Sequence, residues 1–163
     1  MAAEGLNAMT KVMAVGVFDL LHAGHLHYLE QAKSLGEHLT VIIAHDDTVR
    51  IRKHEPVTGM DLRKRMVEGL KPVDEVLIGS PPSDSMFDIL EQVKPDIIAL
   101  GYDQDHAEEW IREELSKRGK SHIIVQRVEG LSDDLDGTRK IISRILELSS
   151  TWRGNIGGDD DNV

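Results

Sequence analysis

VGVFDLLHAGHLHYL, residues 15–29, joins an apolar run ending in glycine to a segment with three histidines in six positions. The run from Val12 to Phe18 suits a buried strand, while Leu26, Leu29 and Ala32 recur at helical spacing, so the stretch reads as strand, turn and helix. Gly16 leaves the turn without a Cβ, which lets a ligand approach the backbone, and a helix opening near Ala23 or Gly24 aims its unpaired N–H groups at the same place. That is an anion site. His22 and His25, three apart across the helix start, both face it and donate to phosphate oxygens, with Gly24 leaving the space between them open. A metal reading takes His22, His25 and His27 as ligands, but no matched carboxylate or distant histidine pattern completes it, and no metal ligand set is assigned. His27 then falls on the helix flank. Asp19 either orients an imidazole or caps the helix.

Outward from this stretch the chain repeats the same alternation. Strand-like runs recur at Leu39 to Ala44, Val76 to Ile78, Asp96 to Leu100 and His122 to Val125. Helical spacing joins Met66, Val67 and Leu70; Met86, Leu90 and Val93; Ala107, Ile111 and Leu115; and Ile141, Ile142, Ile145 and Leu146. Gly36 and Gly119 stand where helix C-caps belong, Pro95 stops a helix, and Thr58 with Asp61 resembles a capping box. Alternating strands and helices predict an α/β fold: a doubly wound, Rossmann-like sheet of five parallel strands with helices on both faces, binding ligands beyond the strands' carboxyl ends. A single domain is expected over residues 11–150, between an N-terminal extension at 1–10 and a flexible acidic tail at 151–163.

Composition narrows the function classes. The 163 residues contain no cysteine, which excludes disulfides, thiolate chemistry and cysteine-based zinc sites. A net charge of −10 argues against a broad nucleic-acid surface, and no apolar run is long enough to span a membrane. With no basic-then-apolar start, a soluble cytoplasmic protein is expected.

The pattern Gly-x-Phe-Asp-Leu-Leu-His-x-Gly-His-x-x-Tyr-Leu at residues 16–29 resembles the opening motif of the HxGH nucleotidyltransferases, in their cytidylyltransferase-like branch. The segments HDDTV (45–49), GLKPVDEVLIG (69–79) and KPDIIALGYDQ (94–104) are similar to those of archaeal FAD synthases, and the similarity runs from about residue 11 to 146. The resemblance implies transfer of AMP from ATP, accompanied by Mg²⁺ or another divalent cation, to the phosphate of FMN, giving FAD and pyrophosphate. It implies that His22 and His25 bind the triphosphate and stabilise the transition state, with Gly16, Val17, Phe18 and Gly24 forming the nucleotide's backbone seat. It also implies a homodimer, with the segment from Arg63 to Val76 as a dimer surface.

In-line attack at an α-phosphorus spreads negative charge that further cations must stabilise. RIRKHEP (50–56) reads as a basic loop after the second strand, either solvated or, by the resemblance, gripping phosphates through Arg52 or Lys53. Asp46 binds a ribose hydroxyl, helps hold the cation, or caps a turn. Arg63 is a surface residue unless, as the resemblance implies, it lies near the phosphates or the dimer interface. Gly101, Tyr102 and Asp103 either meet the base and sugar or form a strand-to-helix turn with Asp103 or Asp105 as N-cap. Two departures from the resembled pattern stand out: Val17 replaces a threonine, and RVEGLSDDLDGTRKII (127–142) sets Asp133, Asp134 and Asp136 where relatives are rich in serine and threonine. Arg127 and Thr138 remain as nucleotide-binding candidates. The same chemistry with CTP and glycerol 3-phosphate, or with a sugar phosphate, is the nearest alternative; a non-catalytic nucleotide-binding scaffold, suggested by the acidic insertion, is the second.

Overall fold

The computed structural model describes residues 9–104 and 107–153. Short β-branched runs form five strands, β1 (Lys11–Gly16), β2 (His38–Ile43), β3 (Glu75–Ile78), β4 (Ile97–Leu100) and β5 (Ile124–Arg127). Between and after them lie α1 (Ala23–Lys33), α2 (Asp46–Arg52), α3 (Met60–Glu68), α4 (Ile89–Val93), α5 (Ala107–Lys117) and α6 (Thr138–Arg153). All pairings are parallel and the strand order is β3-β2-β1-β4-β5, so the expected doubly wound sheet is present. β1 is central: Val12 aligns with Leu39 on one side and Ile97 on the other. The chain leaves β1 toward β2 but returns through β4 on the opposite side, and such a reversal opens a crevice at the strands' carboxyl ends.

Side chains alternate across the sheet. Val12, Ala14, Val41 and Ile43 join Leu29 of α1 and Val67 of α3 in one apolar layer, while Met13, Ile42 and Ile98 join Leu90 of α4 and Leu115 of α5 in the other. Residues 12–14 are at most 4% exposed, which fixes the end of β1 rigidly in the middle of the molecule. Gly119 takes a positive φ of 67° beyond α5, as its C-cap reading predicts, and Lys94 adopts 48° to end α4 before Pro95.

Three expectations change. Residues 50–52 are the last turn of α2, so the basic loop begins only at Lys53. Thr58 and Asp61 form no capping box: Gly59 is the N-cap of α3, and the Thr58 hydroxyl donates to Asp19 instead. The last helix runs through Arg153, three residues into the expected tail; 154–163 lie outside the described residues. Along this helix Ile142, Ile145 and Leu146 are exposed, so their helical spacing marks an apolar stripe that is not buried in the single chain.

Candidate functional site

The site is built on a strained turn. Between β1 and α1 the backbone takes positive φ at two non-glycine residues, Phe18 (56°) and Leu20 (52°), a conformation that costs of order 1 kcal/mol or more at each and persists only where surroundings enforce it. The Phe18 ring, 2% exposed, stacks on Tyr28 with centroids 6.2 Å apart and lies tilted at 5.3 Å from His25. Gly16 serves this packing: a Cβ there would stand 2.7 Å from Phe18 Cε2, so the missing side chain admits an aromatic ring rather than a ligand. Tyr28, partly buried, donates its hydroxyl to the Ala99 carbonyl at 2.9 Å and ties α1 across the sheet to β4.

Asp19 neither caps α1 nor hydrogen-bonds an imidazole. Its carboxylate accepts the Val57 N–H at 2.6 Å, the Thr58 N–H at 3.0 Å and the Thr58 hydroxyl at 2.7 Å, strapping the loop before α3 over the turn. Burial opposes its ionisation, but these donors and the charge of Arg63 outweigh burial and hold its pKa below the usual value. The N-cap is His22, whose Nδ1 accepts the His25 N–H at 3.3 Å. That bond stacks the two imidazoles, with ring centroids 3.7 Å apart and planes 24° from parallel.

Both histidines favour the neutral state. Burial, then His22, then Lys53 push the His25 pKa down to about 4 against the opposing pull of Asp19. Burial also lowers that of His22, while Asp136 pulls it up. His25 Nδ1 is buried and has no hydrogen-bond partner among the described residues, leaving Nε2 as the ring atom open to a ligand. Two neutral imidazoles at a helix start present N–H donors to an anion and retain the capacity to take up protons when it arrives.

Arg63 is placed beneath the site, not on a surface. It is 0% exposed, and its guanidinium donates to the carbonyls of Val17 (2.5 Å), Ala44 (2.9 Å) and Thr58 (3.0 Å) and to Asp46 Oδ1 (2.5 Å). Four donations fix the ends of β1 and β2 and the strap relative to one another. Asp46, the first residue of α2, spends one carboxylate oxygen on Arg63. Burial works against its charge, yet bonds from Arg63 and the Met60 N–H keep it ionised at a lowered pKa.

Arg52 and the C-cap Lys53 end α2 on an exposed face, and their side chains form no hydrogen bond or ion pair among the described residues. The Lys53 charge is felt at His25; Arg50, by contrast, is held by Asp47 and Glu55. Across the crevice, Arg127 donates to the carbonyls of Gly101 (3.0 Å) and Tyr102 (3.4 Å) and pairs with Glu108 at 3.2 Å, bracing the turn that carries Gly101, Tyr102 and Asp103. Gln104, not Asp103, accepts the Gly101 N–H, at 3.1 Å; Asp105 lies outside the described residues. Tyr102 is half exposed. Thr138 opens α6 and donates its hydroxyl to the Asp19 carbonyl at 3.2 Å. Gly24 lies under the Asp136 carbonyl, so the space it vacates is filled by backbone and not left open.

No three histidines or carboxylates among the described residues converge to hold a metal, and His27 stays apart from the His22–His25 stack. Sequence reasoning gave Asp19 a different role, on an imidazole or the helix cap, and left Thr58 and Glu108 out of the site; their actual partners lie 19 to 39 residues away, so no local signal marks them.

A family model described as cytidylyltransferase-like matches residues 13–150, which contain this whole arrangement. The chain belongs to the cytidylyltransferase-like family. Within this family it is similar to a FAD synthase from Aciduliprofundum boonei, 48% identical over 139 residues that make up 85% of this chain and 92% of the relative. A FAD synthase from Ferroglobus placidus is 46% identical over 144 residues, 88% of this chain and 92% of that one. Among solved structures, a lipopolysaccharide core biosynthesis protein from Thermoplasma volcanium shares 38% identity and a TM-score of 0.71, covering 76% of this chain and 99% of that one.

Proposed function

We propose that this chain is an FMN adenylyltransferase, joining AMP from ATP to the phosphate of FMN to form FAD and pyrophosphate. The observation that carries the reading is the stacked His22–His25 pair at the start of α1, in a chain nearly half identical to a FAD synthase along 92% of that relative's length. ATP enters as its Mg²⁺ complex, the cation travelling on the phosphate oxygens as part of the substrate. His22 and His25 meet the phosphates, while Arg52 and Lys53 supply charge from the end of α2. Gly101, Tyr102 and Asp103 face the nucleoside, held by Arg127; Asp46 and Thr138 border the sugar and phosphates.

An oxygen of the FMN phosphate, already ionised at neutral pH, attacks the α-phosphorus in line. The new P–O bond forms as the bond to the bridging α,β-oxygen breaks, and its electron pair leaves with pyrophosphate. No covalent enzyme intermediate is required, because positioning and charge stabilisation supply the catalysis. Arg63 acts by holding the turn and strap in register, not by touching substrate.

The working unit is a homodimer in this reading. Exposed Leu62 and Met66 on α3 and Ile145 and Leu146 on α6 supply apolar surface for it, whereas Arg63, being buried, does not. Sedimentation velocity at micromolar concentration is expected to give a dimer. Pyrophosphate release measured for ATP and CTP against FMN, glycerol 3-phosphate and a sugar phosphate tests the substrates. Release with ATP and FMN alone is expected; release confined to CTP or to another acceptor would overturn the FMN assignment while keeping the nucleotidyl chemistry.

A further inference from the structure

The acidic insertion places negative charge beside a site meant for a polyanion. The main-chain oxygen of Asp136 lies over the first turn of α1, only 2.0 Å from where a Gly24 Cβ would stand, and the Asp136 charge reaches His22. Its carboxylate, 9% exposed, pairs with Lys140 Nζ at 2.7 Å. The same ammonium donates to the Asp133 carbonyl at 3.0 Å, so one lysine ties both ends of the acidic segment. Beside it an open depression of about 500 Å³ is lined by Tyr102, Gly130, Ser132, Asp134 and Lys140.

We propose that Lys140 is a triphosphate-binding residue held in reserve by Asp136. The inference rests on the histidine site being the triphosphate seat. An arriving triphosphate brings more negative charge than the carboxylate it meets, and phosphate oxygens form strong charge-assisted bonds to an ammonium. Asp136 left beside the phosphates is repelled, so it yields Lys140 to them and the segment 133–137 shifts off the start of α1. Empty, the site keeps its cation neutralised; occupied, it gains a positive charge that the empty arrangement hides. The acidic insertion thus sets how tightly triphosphate binds.

Inorganic tripolyphosphate binding, measured by calorimetry on the full chain with thermal unfolding as a control for folding, separates this role from a merely structural one. If Lys140 only fastens the segment, Asp136→Asn and Lys140→Met break the same ion pair and weaken binding alike. If Lys140 is a reserved ligand, the two act in opposite directions: Asp136→Asn tightens binding about fivefold and Lys140→Met weakens it about tenfold, with Lys140→Arg close to wild type. Lys140→Gln serves if the methionine variant fails to fold. Changes of the same sign in Asp136→Asn and Lys140→Met, or no change in Lys140→Met, overturn the proposal. The opposite-sign pattern in a chain that makes no FAD would sustain it and count against the FMN assignment alone.

Discussion

His22 Nδ1 accepts the N–H of His25 at 3.3 Å, and that single capping bond stacks the two imidazoles 3.7 Å apart at the start of α1. A helix normally recruits serine or aspartate for this task. In the proposed reaction the same cap also donates to phosphate, so capping and catalysis would share one side chain. Replacing His25 with alanine should cut kcat by about 10²–10³, the loss typical of removing one donor aimed at developing phosphate charge, with the thermal midpoint little changed. Replacing His22 should cost activity and also unpin α1. Steady-state kinetics beside circular-dichroism melts check both.

His25 also gives the fold a pH signature. Its pKa of about 4 lies below the 6.5 of a free histidine, so the unfolded chain binds the proton first as pH falls. Its contribution to stability is therefore complete above about 6.5 and is lost as pH drops toward 4. The difference in unfolding free energy between wild type and His25→Gln should rise across that window and level off above it. Urea titrations at stepped pH measure this directly.

Arg63 predicts a larger effect, present at neutral pH and diminishing only in acid as the Asp46 carboxylate it pairs with protonates. Arg63→Met strips four hydrogen bonds and leaves the Asp46 carboxylate without its partner, so unfolding free energy should fall by about 3–5 kcal/mol. Because the bonds reach the turn, the strap and the end of β2 together, KM for ATP should rise in whatever folded fraction remains. Denaturant unfolding and ATP titration test the two parts.

The strands and most helices are legible in the sequence because β-branched runs and helical spacing act over a few residues. α2 is not, since HDDTVRIR buries only Val49 and one apolar residue shows no period. The histidine turn is legible as a strand end, a turn and a helix start, but the work of its glycines is not. Gly16 admits the Phe18 ring and Gly24 admits the Asp136 carbonyl, and neither neighbour's position follows from spacing. Arg63 shows the same limit: an arginine amid charged residues reads as surface until the fold brings Val17, 46 positions away, to its guanidinium. Single-sequence patterns report burial and periodicity, not which distant groups will meet.

Gly24→Ala tests that second close approach. The added methyl would stand 2.0 Å from the Asp136 oxygen, so the segment 133–137 must shift, at a cost of about 1–3 kcal/mol. Reduced stability together with altered ATP affinity is the expected result, read by thermal unfolding and ATP calorimetry on the same preparation.

The most direct measurement supplies the chain with Mg²⁺, FMN and ATP labelled at the α-phosphorus, then follows the label by chromatography. The account predicts that label passes into FAD, one per pyrophosphate released, and that His25→Ala blocks the transfer. Label released as free AMP, or left in ATP while CTP is consumed with another acceptor, would contradict it.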